Sequence, residues 1–178
     1  VWKYNDSWPQ IYSGKVDYFL EPYMPYYAIR RAYAPVLVSI EIGSYISVWV
    51  VNDSVEQIAG TLTVRLFHMD ENAVTKEVSR QVAVKPDAST PSIRLDKVGI
   101  GSFRKEHVIH AELVDTAGRP MARASALVDI DRRLVFPDAE LTVVVDNGVL
   151  VLTTDRFARS VFLEGDADGD EFGWFFED

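Results

Sequence analysis

The sequence has no cysteine among its 178 residues. That excludes a disulfide framework, a thiolate metal site and a cysteine nucleophile, and it leaves the compartment open. Positive charge is scarce: 18 Lys and Arg face 27 Asp and Glu, for a net charge of -9. A phosphate-neutralising surface needs clustered Lys and Arg, so nucleic acid is excluded as a partner. No apolar run approaches the ~18 residues that span a bilayer, and Val1 to Gln10 have neither the basic flank nor the apolar stretch of a signal peptide. No membrane partner and no targeting segment are therefore read. Also missing are a His-Glu-x-x-His helix, a Gly-x-Ser-x-Gly elbow and a phosphate loop; Ser13-Gly14-Lys15 lacks the earlier glycine and runs into Val16. No cofactor is expected.

What remains is a core-forming sequence, 48% hydrophobic, whose composition shifts along its length. All 8 tyrosines lie between Tyr4 and Tyr45, together with Trp2 and Trp8, whereas the rest is rich in Val, Leu and Ile. Val1 to Tyr4 reads as a short extended segment. Asn5-Asp6-Ser7-Trp8-Pro9 reads as a loop, because Asn, Asp and Ser bond their own backbone and Pro9 disfavours helix at Trp8. Pro25 suits the first turn of a helix that continues through Tyr33 and stops at Pro35. Strand, loop and helix make one βα unit.

From Pro35 onward the period becomes two. Leu62, Val64 and Leu66 alternate with Thr61, Thr63 and Arg65, as do Ile109, Ala111 and Leu113 with His110 and Glu112, the pattern of half-buried antiparallel strands. Strands are expected over 36–41, 45–52, 60–68, 74–84, 91–96, 107–114 and 121–131, which suggests an immunoglobulin-like sandwich. His68, His107 and His110 fall in polar phase on these strands and read as surface residues. After Phe136-Pro137-Asp138, residues 141–145 and 149–153 flank Asp146-Asn147-Gly148, a type I′ hairpin signal. The expected fold class is thus mainly β: a βα segment over 1–34, a sandwich over 35–134, and the start of a smaller β domain over 135–178.

Two smaller signals are weighed against plain structure. Asp166, Asp168 and Asp170 imitate the oxygen spacing of a calcium loop, but Glu171 stands where the sharp turn wants glycine, so a solvated acidic turn is favoured and no metal is expected. Trp2-Lys3-Tyr4-Asn5-Asp6-Ser7 and Trp49-Val50-Val51-Asn52-Asp53-Ser54 share a pattern too short for a repeat. Both read as strand ends running into an Asn-Asp turn, and both satisfy the Asn-x-Ser acceptor pattern for glycosylation.

Trp2-x-x-Asn5-Asp6-x-Trp8-Pro9, then Val16-Asp17-Tyr18, then Tyr26 through Ser39, resembles the end of the catalytic barrel in glycoside hydrolase family 2, in its β-mannosidase-like and exo-β-glucosaminidase-like branch. Asp155-Arg156-Phe157-Ala158-Arg159 and Gly165 to Trp174 resemble the last β domain of such enzymes; the middle matches in architecture. The resemblance implies that residues 1–34 are the final βα remnant of a TIM barrel. It also implies that the two catalytic glutamates, ~5 to 5.5 Å apart in retaining enzymes, precede Val1, so that this chain carries no catalytic residue. A carbohydrate, a β-glycoside, is the implied partner. Trp2 would stack on the sugar from the end of the last barrel strand, with Asn5, Asp6 and Trp8 on the loop beside it. Tyr12-Ser13-Gly14 departs from the Ser-Trp stretch common in the family, which leaves the sugar open. Tyr26, Tyr27 and Tyr33 would pack against the barrel and, exposed, would favour self-association. A stand-alone carbohydrate-binding module and a structural adhesion-type module are the other two readings.

Overall fold

The computed structural model describes residues 3–9, 14–96, 106–167 and 170–176. They divide into two compact units, one made of Val1–Ala34 and Ser160–Glu177 and the other of Pro35–Arg159.

The larger unit is built on the alternating segments. Strands β1 (Val36–Ile42), β2 (Tyr45–Asn52) and β5 (Ala88–Asp96) form a sheet in the order β1-β2-β5. Strands β3 (Ile58–His68), β4 (Ala73–Val84), β6 (His107–Asp115) and β7 (Pro120–Leu127) form a second in the order β4-β3-β6-β7. Every pairing is antiparallel. Alternate residues point inward: Val38, Ile46, Val48, Val50 and Ile93 from the first sheet join Leu62, Val64, Leu66, Ile109, Ala111 and Leu113 from the second in one core. This is the immunoglobulin-like sandwich that the period of two predicts.

Three details differ from the sequence expectation. β5 begins at Ala88 rather than at residue 91, with Pro91 inside it. The strand lies at a sheet edge, and its register against β2 shifts between Val48 and Trp49, the setting in which a strand tolerates proline. β7 ends at Leu127 instead of running to residue 131. Its last rung is Val108↔Leu127, one residue into β6, which begins at His107. Asp129 then accepts the Ile130 N–H at 2.8 Å, and a short 3₁₀ turn, Asp131–Arg133, follows. Finally, His107 is buried. It opens β6 opposite His68, their rings edge to face at 5.0 Å, beneath the turn in which buried Met69 donates its N–H to Glu106 O. His68 and His110 stay partly exposed, His68 Nδ1 accepting from Glu71 N–H and His110 Nδ1 paired with Ser125 Oγ at 3.0 Å.

Beyond the sandwich, β8 (Leu141–Asp146) and β9 (Val149–Thr154) form the expected hairpin, with Asn147 at φ 49° and Gly148 at φ 77°, the pair of left-handed residues a type I′ turn requires. Its base is fastened to the β3–β4 turn: Phe157 N–H donates to Met69 O at 3.1 Å, and Arg156 reaches Asp70 at 3.2 Å.

In the smaller unit, α1 (Met24–Ala32) carries Pro25 in its first turn and Tyr33 at its C-cap, as the prolines dictate. Ahead of it, Val16 bridges Asn5 in parallel and Pro22 in antiparallel fashion. β10 (Val161–Ala167) and β11 (Asp170–Phe176) pair as a second hairpin. No described helix is long and apolar enough to cross a membrane.

Candidate functional site

The candidate residues gather on the loop from Lys3 to Pro9, whose backbone is pinned before any side chain acts. Tyr4 O accepts the N–H groups of Lys15 and Val16 at 2.7 and 3.0 Å, Asp6 N–H donates to Val16 O at 3.0 Å, and Tyr23 N–H donates to Lys15 O at 3.0 Å. Asp17 Oδ1 closes the next turn by accepting Glu21 N–H at 2.8 Å. Inside this frame Asp6 is almost fully buried, at 1% exposure. Lys3 Nζ lies 2.6 Å from its Oδ1, an ion pair without hydrogen-bond alignment, and the Tyr23 hydroxyl donates to Oδ2 at 3.3 Å. Desolvation first, then the hydrogen bond to Asp6 and the charges of Asp6 and Asp17, raise the Tyr23 phenol above its ordinary titration range.

Gly14 makes the burial possible. A Cβ built there would stand 2.9 Å from Asp6 Oδ1 and 3.0 Å from the rest of the carboxylate, closer than carbon and oxygen pack.

The neighbours face the other way. Asn5 is exposed and Trp8 is 61% exposed. Trp2, Tyr12 and Ser13 lie outside the described residues, as does Asp168 of the calcium-like tail; the backbones of Asp166 and Asp170 belong to the β10–β11 hairpin. Among the described residues no three His, Asp or Glu side chains are grouped to hold a metal ion. On α1 no residue is buried, and Tyr33 is 76% exposed.

The second Asn-Asp-Ser segment has the opposite arrangement, which sequence alone did not reveal. Asn52 is the buried residue and Asp53 the exposed one. Asn52 Nδ2 donates to Glu56 O, Val84 O and Lys85 O at 2.8, 3.2 and 3.1 Å, while its Oδ1 accepts from Ser54 N–H and Oγ–H at 3.1 and 2.6 Å. This amide joins the end of β2 to the end of β4, and glycosylation of it is incompatible with the fold. Within the sandwich, a cleft of about 10 Å³ lined by Ile46, Val64, Leu66, Val78, Leu95 and Ile109, with Arg65 and Lys76, has room for about one water.

A family model described as "Mannosidase Ig/CBM-like domain" matches residues 44–148, more than half of the chain. Among curated proteins, β-mannosidase B of Aspergillus niger is 27% identical over 97% of this chain and 23% of its own length. β-Mannosidase B of Thermothelomyces thermophilus is 27% identical over 69% of this chain and 17% of its own length. The chain thus spans about a fifth of the curated relatives it matches. Among solved structures, a β-D-mannosidase from Dictyoglomus thermophilum superposes with a TM-score of 0.79 at 16% identity, over 98% of this chain and 23% of that one. An exo-chitosanase from Amycolatopsis orientalis gives 0.62 at 15% identity, over 90% and 19%. At these identities the superpositions establish the fold. The resemblance to the C-terminal portion of a β-mannosidase-like member of glycoside hydrolase family 2 is borne out.

Proposed function

The chain belongs to the mannosidase Ig/CBM-like domain family, and from that membership we propose that it is the accessory β-sandwich region of a retaining β-glycosidase whose substrates are β-mannosides or related β-glycosides. The observation that carries the reading is the Aspergillus niger relative, whose similarity runs over 97% of this chain and so takes in both units. In this reading residues 1–34 close the catalytic barrel, with Trp2, Asn5 and Trp8 toward the sugar, residues 35–134 are the sandwich, and residues 135–178 begin a further β domain. The sandwich stabilises the barrel and shapes substrate entry; catalysis itself is the work of glutamates that are not among these residues. The tyrosines of α1 pack on the barrel, and the chain by itself self-associates through them, which sedimentation at rising concentration would reveal.

The test is to sequence the source gene on the 5′ side of the Val1 codon and to assay the chain on a p-nitrophenyl β-mannoside. A frame that continues through barrel strands ending in two glutamates, with no hydrolysis by the chain alone, supports the proposal. A frame that opens at Val1, with sugar binding by the chain itself, would replace it with a carbohydrate-binding module.

A further inference from the structure

The loop that carries the sugar-facing candidates contains one residue whose placement is wrong for a sugar contact. Asp6 sits between Asn5 and Trp8 in sequence, yet it is buried while they are exposed. A carboxylate is withdrawn from water only when partners offset the loss of hydration. Asp6 has two, Lys3 from within the loop and Tyr23 from the far side of the Asp17–Glu21 turn. It also rests on Gly14, where a methyl group would collide with it. The backbone bonds of Tyr4 and Asp6 to residues 15 and 16 fix the chain leading into Asp6, and the side chain adds a tie 17 residues along the sequence.

We infer that Asp6 is a positioning residue: its carboxylate locks Lys3 and Tyr23 together beneath the loop, so that Asn5 and Trp8 are held outward in a fixed arrangement without Asp6 touching the sugar. The inference rests on the reading above for what the loop faces; the lock itself is a matter of geometry in this chain.

The two ends of the ion pair differ, and the difference is testable. The Lys3 side chain is 22% exposed and that of Asp6 is 0%. Freed of Asp6, the ammonium can turn to water; freed of Lys3, the carboxylate stays buried without a counter-charge, with the Tyr23 hydroxyl still bonded to it. Lys3→Met therefore disturbs the loop more than Asp6→Asn, and Tyr23→Phe, which removes the hydrogen bond to Asp6 Oδ2, leaves the ion pair in place.

The experiment uses the whole 178-residue chain, with the amide spectrum of residues 36–96 and 107–127 as a control for folding. The Trp8 indole resonance and hydrogen exchange of the Asp6 and Val16 amides are read in wild type and in the three variants, and the Tyr23 phenol titration, followed with labelled tyrosine, in all but Tyr23→Phe. In Asp6→Asn the Trp8 resonance moves toward its unstructured position, exchange of both amides speeds up by about tenfold or more, and the Tyr23 titration falls back toward that of an ordinary phenol. Unchanged Trp8 and amide signals in Asp6→Asn, or a smaller disturbance in Lys3→Met than in Asp6→Asn, would overturn the inference. Should Asp6→Asn lose the control spectrum, Tyr23→Phe carries the same test. Titration with methyl β-mannoside separates the two ideas. An intact lock with no sugar shifts is the result expected of an accessory region without its barrel, whereas shifts at Asn5 and Trp8 that weaken in Asp6→Asn keep the positioning role and replace the accessory-region reading with a carbohydrate-binding module.

Discussion

The sandwich and the β8–β9 hairpin are written in nearly the same residues and meet opposite fates. In β2 Val48 and Val50 are fully buried, whereas in β8 Val143 and Val145 are 43% and 72% exposed. In both places a valine-rich strand enters an antiparallel ladder. What differs is the second layer. β2 has a facing sheet that supplies Leu62, Val64 and Ile109, so each inward side chain is enclosed. The hairpin is a two-stranded sheet whose face of Leu141, Val143, Val145, Leu150 and Leu152 remains largely accessible. Pattern makes the strand, and a partner layer makes the core.

The comparison can be broken most sharply at Gly60 in β3. A Cβ there would fall 2.0 Å from Val114 O, a backbone atom that cannot step aside without parting β3 from β6. Gly60→Ala is expected to destabilise the sandwich by about 4 kcal/mol or more, in the range kept for severe core damage, as read by urea unfolding. Next comes Asn52→Ala, which strips the side-chain partner from the Val84 and Lys85 carbonyls at the end of β4 and from the Glu56 carbonyl ahead of β3; a loss of about 2–3 kcal/mol is expected from the same measurement. An unchanged midpoint in either variant would mean that the sandwich does not depend on close packing where the structure says it must.

A smaller effect belongs to Asp115. Its carboxylate accepts the backbone N–H groups of Arg119 and Ala117 at 2.9 and 2.8 Å and the Arg119 guanidinium at 2.8 Å. The Arg119 backbone bond is the largest cause of its lowered titration, with burial opposing it. The folded form thus binds its proton later than the unfolded form does. The contribution is complete above the ordinary carboxylate range and fades as pH falls through the lowered folded value. Asp115→Asn should therefore melt lower than wild type at neutral pH, and the gap should narrow on acidification; a gap independent of pH would refute the assignment. Smallest of all, Val145→Thr in the hairpin should change stability by less than about 0.5 kcal/mol. A larger loss would show that another layer covers that face.

Much of this was legible beforehand because strands and turns are local. The alternation at residues 61–66 and 109–113, the prolines bracketing α1 and Asn147-Gly148 each state a conformation within a few residues of themselves. The buried polar groups were not legible, since burial is a property of what arrives from elsewhere. Asn5-Asp6-Ser7 and Asn52-Asp53-Ser54 show this directly: one tripeptide buries its aspartate and the other its asparagine. The first faces a lysine and a phenol that can answer a charge. The second faces three backbone carbonyls, to which an amide can donate and a carboxylate cannot.

By itself, then, the sequence determined to within a few residues where the sandwich strands, the helix and the Asn147-Gly148 hairpin lie, though not β10 and β11, and through the Trp2 to Ser39 resemblance it pointed to the family. Only the tertiary structure decided which valines are enclosed, that His107 goes inside, and that Asp6 turns inward while Asn5 and Trp8 turn out. The physical reason is range. A backbone preference is settled by a residue's immediate neighbours, whereas the loss of water around a side chain depends on groups that the fold brings from 17 residues away for Asp6 and Tyr23, or from 32 for Asn52 and Val84.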